Sequence, residues 1–264
     1  MTQRTDTILD RIVEHKRGEL ARARSSTSLT EMRARAEAAP PVRDFAGALR
    51  QPGVSLIAEV KKASPSRGLL REHFDHIALA KQYASGGAAA ISVLTDEEYF
   101  QGTLGNLEGI RDALLDGPPL LRKDFIFDAY QVQEARAFGA DALLLIVAIL
   151  EQQLLVDLMS ESAALDMTTL VEVHDEAEVE RALAARARVI GVNNRDLHTF
   201  DLDLATTERL RPLIPVEATL VSESAIFTRD DVVRLEACGV DAVLIGESLV
   251  VAPDPVAKMQ ELLA

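Results

Sequence analysis

The chain has 264 residues, of which 48% are hydrophobic and 27% charged, a globular composition that excludes disordered, collagen-like and disulfide-stapled proteins. Its single cysteine, Cys238, cannot form an internal disulfide, and no apolar run reaches the roughly 18 residues that a membrane span requires. Because a net charge of -14 repels a polyphosphate backbone and the N-terminus lacks a secretory pattern, we expect a soluble, cytoplasmic protein without nucleic-acid or membrane partners.

The first fifty residues have the pattern of helices. Apolar residues recur at helical spacing at Ile8, Leu9, Ile12, Val13 and Leu20. A polar helical stretch covers residues 31–38, and the prolines at 40 and 41 end the pattern. We therefore predict an N-terminal helical extension over residues 1–50.

From about residue 53 the chain alternates short runs rich in branched residues with longer amphipathic segments, which is typical of βαβ units. The predicted strands are Ser55–Val60, Ala89–Leu94, Leu120–Lys123, Ala142–Val147, Thr169–Val173, Val189–Asn193, Thr219–Ser222 and Ala242–Ile245. The predicted helices include His76–Ala84, Leu107–Leu115, Ala129–Phe138, Glu151–Ala164 and Arg229–Ala237. Eight strands at roughly 25 residues per unit fit a (β/α)8 barrel better than an open doubly wound sheet. We predict one structural domain overall, with a catalytic (β/α)8 TIM barrel over residues 51–264.

Polar side chains stand at the carboxyl ends of five predicted strands, on the face that points into the barrel. They are Glu59 with Lys61, Lys123, Glu172, Asn193 and Glu223. Any one of them alone is equally well explained as a satisfied polar group of the barrel interior. Because buried charges are costly, five such strand ends together indicate acid-base catalysis, although spacing does not assign the roles.

Three loops have features of a phosphate site. Gly246 and Glu247 form a strand-to-helix turn after the eighth strand, Ser224 follows the seventh, and the first loop contributes Ser64. The loops after strands seven and eight often bind phosphate in such barrels. Each feature, taken alone, is also explained by an ordinary turn.

Apolar side chains follow three other strands. Phe100, Phe125 and Leu197 could line a pocket for an aromatic substrate. His174, just past strand five, is interpreted as a loop cap. The histidines and the single cysteine have no metal-site spacing and no nucleotide fingerprint follows the first strand, so we expect neither metal nor organic cofactor.

Six segments at these strand ends fit a known pattern in order and spacing. They are IAEVKKASPS at 57–66, LRKDF at 121–125, LVEVH at 170–174, IGVNNRDL at 190–197, VSES at 221–224 and IGES at 245–248. Together they resemble the indole-3-glycerol phosphate synthase family over nearly the whole chain. The resemblance implies a cofactor-free carboxy-lyase of tryptophan biosynthesis. Its reaction converts 1-(2-carboxyphenylamino)-1-deoxyribulose 5-phosphate into indole-3-glycerol phosphate, carbon dioxide and water.

The resemblance also implies roles for the polar residues. Lys123 is expected to protonate the substrate ketone during ring closure. Glu172 and Lys61 then serve the dehydration and Glu59 completes their ion-pair network, but which of these three is the acid stays open. Asn193, Arg195 and Glu223 are expected to orient the substrate, and the carboxylate that leaves would be held by Arg195 or Lys61.

The same resemblance implies the substrate contacts. The phosphate is expected against Ser64, the backbone near Ser224, and the turn of Gly246 and Glu247. The anthranilate ring is expected between Phe100, Phe125, Leu144 and Leu197. Ala225 departs from the glycine that is usual in the family, which predicts weakened phosphate binding. Association with other tryptophan-pathway enzymes is compatible with this interpretation.

Two other enzyme classes fit the strand-end residues. A Schiff-base aldolase would use Lys123 as nucleophile, and a sugar-phosphate isomerase would share the phosphate loops. A barrel kept only as a binding scaffold is disfavoured, because five strand ends retain costly polar residues.

Overall fold

Eight parallel strands close into a barrel in the computed structural model, which describes residues 1–264. The strands are β1 (Ser55–Val60), β2 (Ala90–Leu94), β3 (Leu120–Lys123), β4 (Ala142–Ile146), β5 (Thr168–Val173), β6 (Val189–Asn193), β7 (Thr219–Glu223) and β8 (Ala242–Ile245). Each strand pairs with its neighbours in the chain, and β1 also pairs with β8, Ser55 lying opposite Ala242. The predicted barrel is confirmed, with every strand end within one residue of its prediction.

Twelve α-helices accompany the strands. They are α1 (Ile8–Ser26), α2 (Leu29–Ala38), α3 (Phe45–Ala48), α4 (His76–Ser85), α5 (Leu104–Ala113), α6 (Ala129–Ala137), α7 (Gln152–Ala164), α8 (Glu176–Ala184), α9 (Ala205–Leu210), α10 (Arg229–Ala237), α11 (Glu247–Val250) and α12 (Pro255–Leu263). Short 3-10 turns occupy Val147–Ile149 and Arg211–Leu213, and a small hairpin pairs Ala63–Ser64 with Gly68–Leu69. None of the helices combines the length and apolarity that crossing a membrane requires.

Local chemistry explains where these elements begin and end. Strands β1 and β4, for example, are buried along their whole length, as expected for parallel strands covered by helices. The predicted start of α5 at residue 107 was wrong by three residues, because the Thr103 hydroxyl caps the helix by accepting from Asn106 N–H. Gly139 and Gly239 follow α6 and α10 with φ of 87° and 82°, a conformation that glycine adopts readily.

The N-terminal helices pack on the barrel through apolar residues. Leu9, Ile12, Val13, Phe45 and Leu49 are buried in the same hydrophobic core as the strands. Backbone and side-chain hydrogen bonds add to this packing, for example from Arg43 N–H to Asp141 Oδ1 at 2.8 Å. The division of the chain at residue 50 stays a prediction, since extension and barrel share one continuous core.

Candidate active site

The carboxyl ends of the strands surround a cleft of about 1170 Å³, its open entrance included. Every residue that the sequence predicted as catalytic or substrate-binding lines it: Glu59, Lys61, Ser64, Phe100, Lys123, Phe125, Leu144, Glu172, Asn193, Arg195, Leu197, Glu223, Ser224, Gly246 and Glu247. This end of the barrel is where catalytic residues collect in enzymes of this fold. The cleft is therefore the candidate active site, while the individual roles stay predictions.

Lys123 lies at the centre of the charged group. Its Nζ is 3.2 Å from Glu172 Oε2 and 3.3 Å from Glu223 Oε2, and both carboxylates are buried. Burial alone would lower the pKa of Lys123, but Glu172, Glu223 and Glu59 together raise it above its usual range. The amine is thus held protonated in the cleft.

The two carboxylates beside Lys123 differ in their surroundings. Burial favours the neutral form of Glu172, but Lys123 and His174 lower its pKa well below the usual range. For Glu223, burial raises the pKa to about 7, against the pull of Lys123 and with the help of Glu172 and Glu59. Environments that separate the pKa values of neighbouring groups are the requirement for acid and base roles in one site.

Glu59 and Lys61 form a second ion pair at the end of β1. Lys61 Nζ lies 2.8 Å from Glu59 Oε1, and the Ser92 hydroxyl donates to Glu59 Oε2 at 3.4 Å. Although burial raises the pKa of Glu59, Lys61 and Lys123 lower it below its ordinary value, so the carboxylate stays ionised. This pair supplies an ammonium and a carboxylate on the wall beside Lys123.

Another part of the cleft has features of an anion site. Ser64 is buried and its hydroxyl has no hydrogen-bond partner. Ser224 and Ala225 both adopt positive φ, 65° and 61°, in the turn after β7. Glu247, whose carboxylate would repel a phosphate, is paired with Arg67 of the first loop at 3.0 Å.

Aromatic and aliphatic side chains form the remaining wall. The rings of Phe100 and Phe125 are 6.2 Å apart between centroids. Helix α1 contributes Ile8, Leu9 and Ile12 to the same cleft, which sequence reasoning missed. Their helical spacing was visible in the sequence, but spacing alone does not show which surface a helix covers.

His174 was also missed, because it was interpreted as a loop cap. Its backbone N–H does donate to Glu178 Oε2 at 2.8 Å, as a cap would. Its ring, however, lies between two carboxylates, with Nδ1 2.9 Å from Glu178 Oε2 and Nε2 3.3 Å from Glu172 Oε1. The signal was the two-residue separation from Glu172, which places both side chains on one side of an extended segment.

Comparison with known proteins shows the family of the chain. The family model described as indole-3-glycerol phosphate synthase matches residues 9–262. The chain belongs to the indole-3-glycerol phosphate synthase family. The resemblance carried by the six strand-end segments is therefore confirmed.

Close relatives carry the same family name. Indole-3-glycerol phosphate synthase of Roseiflexus castenholzii is 58% identical, covering 97% of this chain and 98% of the relative. The synthase of Dehalococcoides mccartyi strain CBDB1 is 54% identical over 97% of this chain and all of its own length. The synthase of Mycobacterium bovis strain BCG / Pasteur 1173P2 is 47% identical and covered to 93%.

Solved structures of more distant proteins share the fold of this family member. A 3-hexulose-6-phosphate synthase superposes with a TM-score of 0.62 at 14% identity, covering 79% of this chain and 98% of that one. KGPDC from Streptococcus mutans gives 0.62 at 12% identity over 79% of this chain and 95% of that one. At such identities the likeness shows the barrel and nothing about the reaction.

Proposed function

We propose that the chain is an indole-3-glycerol phosphate synthase, which closes the indole ring of 1-(2-carboxyphenylamino)-1-deoxyribulose 5-phosphate with loss of carbon dioxide and water. The observation that carries this proposal is the Lys123 ammonium, held between Glu172 and Glu223 at the bottom of the cleft. Ring closure needs a proton donor at the substrate ketone, and a buried lysine that carries its proton at neutral pH meets that need.

Lys123 acts in the first step. As the aromatic carbon attacks the ketone, the new alkoxide takes a proton from the Lys123 ammonium, whose positive charge also stabilises the developing negative charge. Loss of carbon dioxide from the same aromatic carbon then restores the aromatic ring. Removal of the hydroxyl as water and of a proton from the neighbouring carbon completes the indole.

The dehydration falls to the remaining charged residues. One carboxylate is that of Glu172, beside Lys123. The facing wall supplies a second carboxylate and an ammonium, from the ion pair of Glu59 with Lys61. Asn193 Nδ2 donates to Glu172 Oε1 at 3.2 Å and so helps to orient that carboxylate. Which member of the set is the acid stays an open question of the proposal.

The two ends of the cleft suit the two ends of this substrate. The anthranilate ring binds in the hydrophobic part, between Phe100, Phe125, Leu144 and Leu197. The phosphate binds to Ser64, Ser224 and the Gly246–Glu247 turn. Arg195 or Lys61 binds the carboxylate before it leaves. Anchoring both ends of the substrate folds it so that its ring and its ketone meet. Bringing these two groups together is the main entropic cost of ring closure.

The charge state of Lys123 disfavours the aldolase alternative. A Schiff base requires an unprotonated amine, whereas Glu172, Glu223 and Glu59 raise the pKa of this one. No contact in the cleft specifically favours an isomerase.

The setting in the cell belongs to the same proposal. We infer a phosphorylated small molecule as the substrate, as in the family, and a cytoplasmic location. The acidic composition disfavours a nucleic-acid partner. Association with other tryptophan-pathway enzymes is a further part of this proposal.

Fluorescence provides the test. The chain has no tryptophan, so indole emission from the product can be followed against a low protein background. We expect emission to grow with the wild type and the rate to fall about 10²- to 10⁴-fold in Lys123→Ala, the range for loss of a general acid. Lys81→Ala, on the exposed face of α4, is the matched control and should keep full activity. A folded wild-type protein that makes no indole rejects the proposal.

A further inference from the structure

Lys123 sits almost midway between two buried carboxylates, and its distances do not distinguish them. The separations from Nζ are 3.2 Å to Glu172 and 3.3 Å to Glu223. A reaction that both takes and gives protons needs these two groups in different states. Something outside the triad of Lys123, Glu172 and Glu223 must therefore set the difference.

The far oxygens of the two carboxylates have unlike contacts. Glu172 Oε1 accepts from Asn193 Nδ2 at 3.2 Å and lies 3.3 Å from His174 Nε2, an ion pair not aligned as a hydrogen bond. Glu223 Oε1 has no hydrogen-bond partner and faces Gly191, where even a methyl group would collide with it. Of the two carboxylates, Glu172 alone has polar contacts at the oxygen that does not face Lys123.

That support is itself anchored. The His174 ring is almost fully enclosed, with 13% of its side chain exposed, and Glu178 at the start of α8 contacts both its Nδ1 and its backbone N–H. The ring and Glu178 lie at an outer cleft whose other charged residues include Arg4, Asp175, Arg181, Arg195, Asp196 and Arg209. His174 does not line the inner cleft and reaches it only through Glu172.

We propose that His174 is a positioning residue that makes the two carboxylates unequal: it holds Glu172 oriented and ionised as the base and leaves Glu223 as the carboxyl that exchanges a proton. This inference rests on the proposed function for its catalytic consequence, but not for the charge asymmetry itself.

The electrostatics of the neighbourhood agree with this geometry. Burial would lower the pKa of His174, yet Glu172 and Glu178 on either side raise it to about 10, so the ring is an imidazolium at neutral pH. The groups facing Glu223 are Lys123 on β3, Glu172 on β5 and Glu59 on β1; the two carboxylates and burial bring its pKa to about 7. The asymmetry thus follows from one cation placed behind one of two carboxylates.

The test combines carbon-13 NMR of labelled glutamate carboxyl groups with steady-state kinetics. Glu172→Gln and Glu223→Gln assign the two resonances. In His174→Asn we expect the titration midpoint of Glu172 to rise and that of Glu223 to fall. We also expect kcat to drop about 10- to 100-fold with KM within about twofold, because a reacting group is misplaced while the substrate contacts remain.

Two further variants keep the result interpretable. Glu178→Gln removes the outer counter-ion of the ring but leaves the imidazolium beside Glu172, so the titration midpoint of Glu172 should stay low, in contrast to His174→Asn. His198→Asn, an exposed histidine on the rim of the outer cleft, should change nothing. Unchanged glutamate titrations in His174→Asn overturn the inference even if kcat falls, as does a rise in KM alone. If the titrations shift but the wild type forms no indole, the synthase proposal fails and the asymmetry stands.

Discussion

Two glycines make room for charged side chains at the bottom of the cleft. A Cβ at Gly246 would meet Glu59 Oε1 and the Lys61 side chain, and one at Gly191 would meet Glu223 Oε1. The sequence placed Gly246 at a phosphate turn and gave Gly191 no role. In the structure, both positions require glycine, because neighbouring strands bring carboxylates against their backbone.

Ala225 shows the reverse situation, a side chain where the backbone favours glycine. With φ at 61°, its methyl group costs about 1 kcal/mol relative to an unstrained residue. We expect Ala225→Gly to relax the turn after β7 and to lower KM about threefold, equivalent to roughly 0.7 kcal/mol of phosphate binding. Steady-state kinetics check this.

The control for that variant is Arg186→Gly, which removes a positive-φ side chain, φ 62°, in the exposed turn between α8 and β6. It should change stability in a similar way but leave KM unaltered. An unchanged KM in Ala225→Gly contradicts the prediction.

His174 also links stability to pH. Its pKa is raised from about 6.5 in the unfolded chain to about 10 in the folded one, so its contribution is complete below pH 6.5. That contribution is lost as the pH rises through 10. We expect the difference in unfolding free energy between wild type and His174→Asn, from urea titrations, to be largest at pH 6 and to shrink by pH 10. A difference that stays constant with pH would show that the ring acts through packing alone.

At the scale of elements, one buried lysine joins α1 to the active-site strand ends. Lys16 Nζ lies 2.5 Å from Glu19 Oε2, 2.9 Å from Asp96 Oδ2 and 3.0 Å from Asp124 Oδ1. Asp124 follows Lys123 directly, and Asp96 accepts from the backbone N–H of Phe100 at 3.2 Å. Helix α1 is thereby fixed to the end of β3, which carries the proposed acid, and to the loop that carries one wall of the aromatic pocket.

Removing this cation should be strongly destabilising. In Lys16→Met, Asp96 and Glu19 lose the Lys16 ammonium, and Asp124 keeps only its ion pair with Arg122. Breaking a buried ion pair in this way costs about 3–5 kcal/mol. Urea unfolding measures the loss. Lys81→Met removes an exposed lysine from α4 and should stay within about 0.5 kcal/mol of the wild type. Equal effects of the two substitutions would contradict the anchoring role.

The whole molecule has one core rather than two. A single hydrophobic cluster includes Leu9 and Phe45 of the N-terminal helices together with the barrel strands and the last helix, through Leu262. Hydrogen bonds cross the same boundary, for example from Arg136 Nη2 to the carbonyl of Ala39 at 3.0 Å. Extension and barrel are therefore expected to unfold together.

Calorimetry tests this expectation. The full chain should show a single thermal transition, and residues 51–264 expressed alone should melt at a clearly lower temperature, because they expose apolar surface and leave Asp96 unpaired. Two separate transitions in the full chain, or an unchanged melting temperature of the isolated barrel, would contradict it.

The barrel and the residues at the carboxyl ends of its strands could be predicted from sequence patterns alone. Continuous apolar strands, alternating with helices, predict a parallel closed sheet, and the strand ends name Lys123, Glu172 and Glu223 because their side-chain direction follows from a period of two. Where a helix cap decides a boundary, as at Thr103, the sequence prediction was less accurate.

Contacts between side chains of different elements became known from the assembled fold. The position of α1 on the wall of the cleft and the contact of Lys16 with Asp124 follow from no local pattern, since each joins different elements. Charge states depend on the same contacts: burial, Glu172 and Glu59 raise the pKa of Glu223, whereas Lys123 and His174 lower that of Glu172 against the effect of burial. Local propensity fixes the elements, whereas the balance of charges in the site belongs to their assembly.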